Sequence, residues 1–223
     1  MRPLAVLALL VPVAAAAAPV PTPSERELIA KHWGRPEGDG EFALTGGRLT
    51  LRAVGASPAG LLRVGRTVRG DFTAEVTVGA ADCPDPAKGD AREPHSHAGL
   101  SVAGGGYTVR LHLMQQYNRG DGARLQAEPQ RCVWLDRWHP RGGSGSYLKE
   151  AAAGHAVRLR VARTGKAVTA AFSFDGKGWA ETAVEAEKAA LPDEVSVAVF
   201  LAHDTRQQLS ATFERFAVEK PKE

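Results

Sequence analysis

The sequence predicts an all-β protein, a two-sheet antiparallel β-sandwich that follows an N-terminal signal peptide. Two observations predict the sandwich. After Trp33, apolar and polar residues alternate with a period of two through most of the chain, and glycine-rich turns separate the alternating runs. The 24 glycines and 14 prolines among 223 residues also favour many turns over long helices. Strands that are apolar on one side hide that side from water when two sheets stack.

The first 18 residues have the three parts of a secretory signal. Arg2 supplies a positive charge, residues 4–11 form a short apolar core, and residues 14–18 supply the small side chains that a signal peptidase accepts. The apolar core is shorter than the ~20 residues that a membrane-spanning helix needs. We therefore expect a secreted or periplasmic protein from which residues 1–18 are removed, with no membrane association afterwards.

The remaining chain is organised as one domain. Residues 19–32 are predicted to form a linker or a short leading helix, in which Ser24 and Glu27 have the spacing of a capping box. Residues 33–218 form the sandwich, and residues 219–223 form a charged tail. A length of ~200 residues suits a single sandwich domain.

The strands follow from the alternation. The segments in which it is clearest are 49–52, 71–78, 97–103, 107–114, 157–161, 168–172 and 195–201. Three consecutive glycines at 104–106 join two of these runs and predict a hairpin, because glycine tolerates the positive φ that tight turns need. Residues 123–126 are a further strand candidate, residues 142–146 resemble a flexible loop, and residues 180–191 have a helical composition and are left unassigned.

The charge balance excludes one class of partner. The formal net charge is +3, and no block of five or six basic residues occurs, so nucleic-acid binding is not expected. Cys83 and Cys132 are the two cysteines. Two cysteines in an exported chain commonly pair, and a closed loop of ~50 residues contributes ~3–4 kcal/mol of stability. We expect a disulfide; the alternative is two free thiols whose Cα atoms are more than ~7 Å apart.

No catalytic constellation is recognisable. A glucanase needs two carboxylates across the scissile bond, commonly from alternate positions of one strand, and neither Arg110 nor His112 has an acidic neighbour two residues away. Residues 142–146 miss the spacing of a nucleophile elbow. The pairs His95 with His97 and His203 with Asp204 offer metal-ligand atoms, but nothing in the sequence brings the two pairs together. The sequence therefore predicts no catalytic residue, no metal and no cofactor.

The aromatic residues divide by type and indicate a binding surface. All seven phenylalanines lie outside residues 107–147, whereas the three tyrosines, Trp134 and Trp138 lie within it. Tyrosine and tryptophan combine an apolar ring with a polar edge, which suits the apolar faces and polar rims of sugars. The predicted ligand-binding residues are Arg110, His112, Trp134, Trp138 and Tyr147. The alternative is that the two tryptophans anchor a long loop to the sandwich.

Basic residues extend this prediction to the kind of ligand. Arg110 lies in the same alternating run as His112, and Arg158 and Arg160 share a face of another run. If these residues line one groove, the groove is basic and prefers anionic glycans. The alternative is a solvated outer sheet with exposed arginines.

Four motifs, taken in order, resemble one family of proteins. They are a strand at residues 70–78, the His-Ala-Gly-Leu strand at 97–100, the Asp-Gly turn at 174–179 and the paired strands within 197–216. Together they resemble the concanavalin A-like lectin/glucanase superfamily, and within it the secreted bacterial domains described as regulation-of-enolase-like or of unknown function. The resemblance spans Trp33 to Val218. It implies a jelly-roll sandwich whose concave face often binds carbohydrate, but no settled activity.

The sequence thus favours a binding module over an enzyme. We expect a secreted carbohydrate-binding β-sandwich without catalytic activity, whose partner is a polysaccharide or oligosaccharide, including anionic ones. A glycoside hydrolase of the same fold, with a carboxylate pair that the sequence does not reveal, is the first alternative. A structural or protein-interaction domain is the second.

Overall fold

The computed structural model describes residues 23–55, 60–88, 94–117, 128–184 and 191–220. These residues form one helix, α1 (Pro23–His32), and two seven-stranded sheets. Sheet I, in spatial order, contains β1 (Arg35–Glu37), β4 (Gly60–Arg69), β13 (Glu194–His203), β6 (His95–Gly104), β7 (Tyr107–Gln116), β8 (Gln130–His139) and β9 (Gly142–Glu150). Sheet II contains β12 (Ala180–Val184), β11 (Ala167–Ser173), β10 (Val157–Thr164), β5 (Phe72–Ala81), β14 (Ser210–Glu219), β3 (Arg48–Ala53) and β2 (Gly40–Thr45).

The predicted fold class is confirmed. Every strand pair in both sheets is antiparallel, and the two sheets enclose one apolar core. Sheet I contributes residues such as Leu100 and Leu111 to this core, and sheet II contributes residues such as Val76 and Leu159. The architecture is that of a β-sandwich consistent with a concanavalin A-like jelly roll.

Strand alternation assigns each side chain to one face of its sheet. In β7, Val109, Leu111 and Leu113 belong to the core. Arg110 and His112, between them, therefore point to the opposite side, which we call the outer face of sheet I. The same rule places alternate residues of β6, β8 and β9 on this face.

Several segments differ from the sequence prediction, and others lie outside the described residues, so the structure does not test them. Residues 142–146 do not form a flexible loop, because they belong to β9 and pair with β8. Residues 180–184 form the strand β12. The candidate strand at 123–126 and the leader at 1–18 lie outside the described residues. In the part of the chain that the structure describes, no helix has the length and apolar character needed to span a membrane.

The predicted disulfide between Cys83 and Cys132 is absent from the structure, in which both residues have free thiols. Val133 and Leu135 of β8 face the core, so Cys132 points to the outer face of sheet I, where it is fully buried. Cys83 lies in the segment that follows β5 and is partly buried.

A thiol titration tests this correction. We expect two titratable thiols per chain in protein that is denatured without a reductant. In the folded protein at pH 8, both should react slowly, because burial raises the pKa of Cys83 and of Cys132 to about 11. A denatured, unreduced protein with no titratable thiol would show that the disulfide forms.

Candidate functional site

The five residues predicted to bind a ligand lie on the outer face of sheet I. β7 carries Arg110 and His112, β8 carries Trp134 and Trp138, and β9 carries Tyr147. The strand register pairs His112 with Trp134, and Trp134 with Tyr147, in one row across three neighbouring strands. The structure thus brings the five residues together, while their role in binding stays a prediction.

The five side chains differ in their access to solvent. Trp138 is 52% exposed and Tyr147 is 48% exposed, so both rings are open to a ligand. Trp134 and Arg110 are half-buried. His112 has 0% exposure, which does not suit direct contact with a sugar. We therefore expect His112 to act through the residues around it.

Two glycines of β9 provide the surface on which the tryptophan rings lie. A Cβ atom on Gly143 would lie 2.5 Å from Cε3 of Trp138, and one on Gly145 would lie 2.5 Å from Nε1 of Trp134. Each indole ring therefore rests on the glycine backbone of the neighbouring strand, in space that any other residue would fill. Glycines at alternate positions of a strand are the signal in the sequence that indicates this arrangement.

Substitution of Gly145 should displace the ring above it. In Gly145→Ala we expect Trp134 to shift, which weakens the 2.8 Å hydrogen bond from its Nε1 to Oδ1 of Asp136 and exposes more of the indole. The tryptophan fluorescence maximum should move to longer wavelength. Ser144→Ala, one residue away, is the matched control and should leave the spectrum unchanged. Identical spectra for both variants would mean that the glycine does not set the ring position.

A chain of hydrogen bonds runs beneath this surface. Oδ2 of Asp136 lies 3.1 Å from Nε2 of His112, and Nδ1 of His112 lies 3.2 Å from Nδ1 of His97. An ionised carboxylate only accepts hydrogen bonds, so Nε2 of His112 carries the proton. Neutral His112 then accepts at Nδ1 the hydrogen bond that His97 donates. This arrangement assigns one tautomer to each ring.

Burial keeps both rings neutral. It lowers the pKa of His97 to about 2, and the charges that His112 and His95 gain on protonation act in the same direction. Burial also lowers the pKa of His112, against the opposing effect of Asp136. Burial alone would raise the pKa of Asp136, but the hydrogen bonds from His112 and Trp134 outweigh it, and the pKa lies below its ordinary value. At neutral pH the cluster contains neutral imidazoles and one carboxylate.

Sequence reasoning did not identify Asp136 or the contact between His97 and His112. A catalytic acid was expected two residues away on the same strand, whereas Asp136 lies across from Arg110 on the next strand. The other two histidines that were considered as metal ligands, His95 and His203, have different contacts. His95 contacts Asp204, with Nδ1 3.0 Å from Oδ2.

His203, by contrast, lies apart from this cluster. It belongs to the buried residues of β13, and its Nδ1 contacts the carbonyl oxygen of Thr205 at 2.7 Å. Of the two residues that the sequence named as a source of ligand atoms, Asp204 contacts His95 and His203 contacts Thr205.

Arg110 is partly enclosed at the site. Its guanidinium lies 5.3 Å from the ring centroid of Phe200, in a cation–π contact. Burial lowers the pKa of Arg110, the carboxylate of Asp136 opposes this, and the charge of Arg63 adds to the lowering. Arg63 lies opposite Phe200 in the register, with its Nη2 2.5 Å from Glu37. The outer face thus carries two guanidinium groups, each with a carboxylate nearby: Asp136 for Arg110 and Glu37 for Arg63.

Arg158 and Arg160 do not join this face. They lie on β10 of sheet II, and both form ion pairs with Glu75, at 3.0 Å and 2.6 Å. Both also stack on the ring of Trp179. A shallow cavity here is lined by Glu75 and Arg158, among others. Because Arg158 and Arg160 lie on sheet II and Arg110 lies on sheet I, these arginines do not line one groove, and the condition for a shared basic groove is not met.

Comparisons with known proteins show the fold. No family model matches the sequence, and no curated protein matches it. Among solved structures, the chain is similar to a protein of unknown function from Saccharomyces cerevisiae, with 15% identity, 84% of this chain and 96% of the other covered, and a TM-score of 0.61. It is also similar to the alginate lyase from Klebsiella pneumoniae, with 13% identity, 81% and 84% covered, and a TM-score of 0.56.

A third similar structure is an alginate lyase in complex with dimannuronate, with 12% identity, 78% of this chain and 76% of the other covered, and a TM-score of 0.50. Identities this low show the shared fold alone. The fold therefore defines the class of this protein as a two-sheet antiparallel β-sandwich, consistent with a concanavalin A-like jelly roll.

Proposed function

We propose that this protein is an exported carbohydrate-binding module without catalytic activity, which binds an acidic polysaccharide on the outer face of sheet I. The observation that supports the proposal is the position of two half-exposed aromatic rings, Trp138 and Tyr147, on the same face as Arg110. The other residues of this face hold these three side chains in position and do not contact the polysaccharide.

The aromatic rings suit the apolar faces of sugars. A pyranose ring presents C–H groups on its face and hydroxyl groups on its rim, and an exposed indole or phenol offers a flat apolar surface with a polar edge. The ring of Trp138 lies against Gly143, so one of its faces is covered by backbone. The exposed half of the ring is the surface available to a sugar.

Arg110 favours an anionic ligand over a neutral one. A guanidinium binds a carboxylate through two parallel hydrogen bonds, and its attraction is stronger where the group is partly buried. The similar solved structures include two alginate lyases, one of them with dimannuronate bound, which supports testing uronate polymers first.

The positions of the carboxylates favour binding over hydrolysis. Among the described outer-face residues of β6 to β9, the acids are Asp136 on β8 and Glu150 on β9, and the register pairs Glu150 with Cys132. Cys132 lies four residues from Asp136, or ~13 Å along the strand. Glycosidases need their two carboxylates ~5–9.5 Å apart. Asp136 is also held by two hydrogen bonds and is not free to act as an acid.

The finer family assignment belongs to the same proposal. The motifs at 70–78, 97–100 and 174–179 support membership of the secreted bacterial, regulation-of-enolase-like family. The leader at 1–18 supports export to the periplasm or the medium.

A glycan array tests the proposal. The mature protein, residues 19–223, is applied to acidic and neutral polysaccharides, alginate included. We expect binding to acidic polymers that weakens as salt is added, because screening reduces the attraction to Arg110. A folded protein that binds none of the glycans would contradict the proposal and favour a structural or protein-interaction role. Release of reducing ends or unsaturated products would contradict the absence of catalysis.

Removal of one guanidinium should reduce the preference for charge. In Arg110→Gln we expect about 10-fold weaker binding to the acidic polymer, since a charge-assisted hydrogen bond contributes ~1.5–3 kcal/mol. Affinity for neutral glycans should change little. Arg48→Gln is the matched control, because it removes an exposed arginine that pairs with Glu214 on sheet II. Equal losses in the two variants would show that net charge, and not Arg110, determines the binding.

A further inference from the structure

Two histidines on the outer face of sheet I are arranged as metal ligands are. We propose that His97 and His112 bind a divalent transition-metal ion, such as Zn²⁺, between their Nδ1 atoms, with Asp136 as the carboxylate that orients His112. The sequence alone predicted no metal. The site is independent of the glycan-binding proposal, and its test uses no glycan.

The separation of the two nitrogens suits one shared ion. The two Nδ1 atoms are 3.2 Å apart. Two nitrogens bound to the same tetrahedral zinc at ~2.0–2.1 Å lie ~3.3–3.4 Å from each other. An ion can therefore take the place of the bridging proton after small rotations of the rings, without any movement of the strands; the proton moves by way of solvent to Nε2 of His97, which stays neutral. The side-chain nitrogens of His97 and His112 and a carboxylate oxygen of Asp136 all lie within 4.8 Å of one another.

The backbone fixes both histidines. β6 and β7 are neighbours in sheet I, and their register pairs His112 with Gly99 and His97 with Met114. The two histidines are therefore diagonal neighbours on one face of an antiparallel pair, where side chains readily meet. A Cβ atom on Gly99 would lie 2.6 Å from the Cβ of His112, so the glycine leaves the space in which His112 stands.

Asp136 has the role that carboxylates take behind metal-bound histidines. It accepts a hydrogen bond from Nε2 of His112, which leaves the lone pair on Nδ1 directed at His97. The other oxygen of Asp136 accepts the hydrogen bond from Trp134, so the carboxylate is itself held in place. This sequence of imidazole, carboxylate and second donor fixes the tautomer that metal binding requires.

Access and charge are also compatible with an ion. His112 is fully buried, whereas His97 is half-buried and provides the side from which an ion and its remaining water ligands enter. Asp136 contributes one negative charge that attracts the cation. Arg110, which lies across from Asp136 in the register, contributes a positive charge that repels it. Imidazole nitrogens favour Zn²⁺, Ni²⁺ and Cu²⁺ over Ca²⁺ and Mg²⁺, which prefer oxygen.

Calorimetric titration of metal-free mature protein with ZnCl₂ at pH 7.5 tests the proposal. We expect one ion per chain and no heat with CaCl₂. His97→Gln should weaken binding at least 100-fold, and Asp136→Asn, which keeps the shape of the side chain, should weaken it 10- to 100-fold. His155→Gln removes an exposed histidine elsewhere and should bind as the native chain does.

Cysteine thiols are the competing ligands, and the absorption spectrum of bound Co²⁺ distinguishes thiolate ligands from imidazole ligands. Cobalt bound by imidazole lacks the intense near-ultraviolet thiolate band, and Cys83→Ser should leave its spectrum unchanged. Circular dichroism establishes that each variant is folded. The proposal is overturned if native protein binds none of Zn²⁺, Ni²⁺ and Cu²⁺, if His97→Gln binds as tightly as native protein, or if the thiolate band appears.

Discussion

Trp138→Ala is expected to abolish detectable glycan binding. Trp138 is the most exposed of the four residues of the proposed surface that reach solvent, and its indole is the largest flat apolar area there. Truncation of a central aromatic contact commonly costs at least ~2 kcal/mol, or about 30-fold in affinity. Carbohydrate sites start from modest affinity, so a loss of this size removes the signal from an array. Titration of the best array ligand into both proteins gives the ratio directly.

Phe174→Ala is the matched control for this experiment. Phe174 is also a partly exposed aromatic residue, but it follows β11 of sheet II, far from the proposed surface. Its loss should leave the affinity unchanged. If Trp138→Ala binds as native protein does, the aromatic surface is not the binding site, and the tryptophan then only packs against β9.

Acid should destabilise the fold through its buried histidines. The unfolded chain protonates histidine near pH 6.5, whereas burial lowers the pKa of His97 in the folded protein to about 2. Below pH 6.5 the unfolded state thus binds protons that the folded state does not, and the free energy of unfolding decreases as the pH is lowered. His97 alone should lower it by about 1.5–2 kcal/mol between pH 6.5 and 5.

The groups around His97 do not reverse this sign. The pKa of His112 is also lowered by burial, so protonation of the unfolded chain at His112 adds to the loss of stability in acid. His95 and Arg110 also disfavour a charge on His97, and only Asp136 favours it. The lowered pKa of Asp136 adds stability that is present above ~pH 4 and is lost below it, outside the pH range of the test.

Urea denaturation at pH 7.5, 6.5, 5.75 and 5 measures this dependence. His97→Gln cannot be protonated, so its free energy of unfolding should fall less steeply, by the 1.5–2 kcal/mol assigned to His97. His155→Gln, at an exposed position, should retain the native slope. Parallel curves for native protein and His97→Gln would mean that His97 is protonated as freely in the folded state as in the unfolded one.

Much of the fold followed from the sequence because a period of two has one structural meaning. The alternation in β7 separated Leu111 from Arg110 and His112 before any contact was known. No strand was predicted at β8, so the common side of Trp134 and Trp138 is known only from the structure. Cys132 has the same parity as Trp134 in β8 and so faces outwards.

The site was less accessible to sequence reasoning because register is set by contacts between distant segments. β7 and β8 are separated by residues 117–129, a connection whose length does not fix which residues face each other. The proximity of Asp136 to His112 therefore could not be derived. The alternate glycines at 143 and 145 can be seen in the sequence, but the sequence does not show which rings pack against them.

The contact between these glycines and the indole rings has a consequence for the cost of capturing a ligand. A flexible side chain that becomes fixed on association loses ~0.5–1.5 kcal/mol of rotational freedom. Trp134 and Trp138 already rest against main chain in the free molecule, so this loss is incurred during folding and not when a partner arrives. For the proposed binding surface, the course of the polypeptide backbone in β9 therefore sets the positions of both indole rings before a ligand arrives.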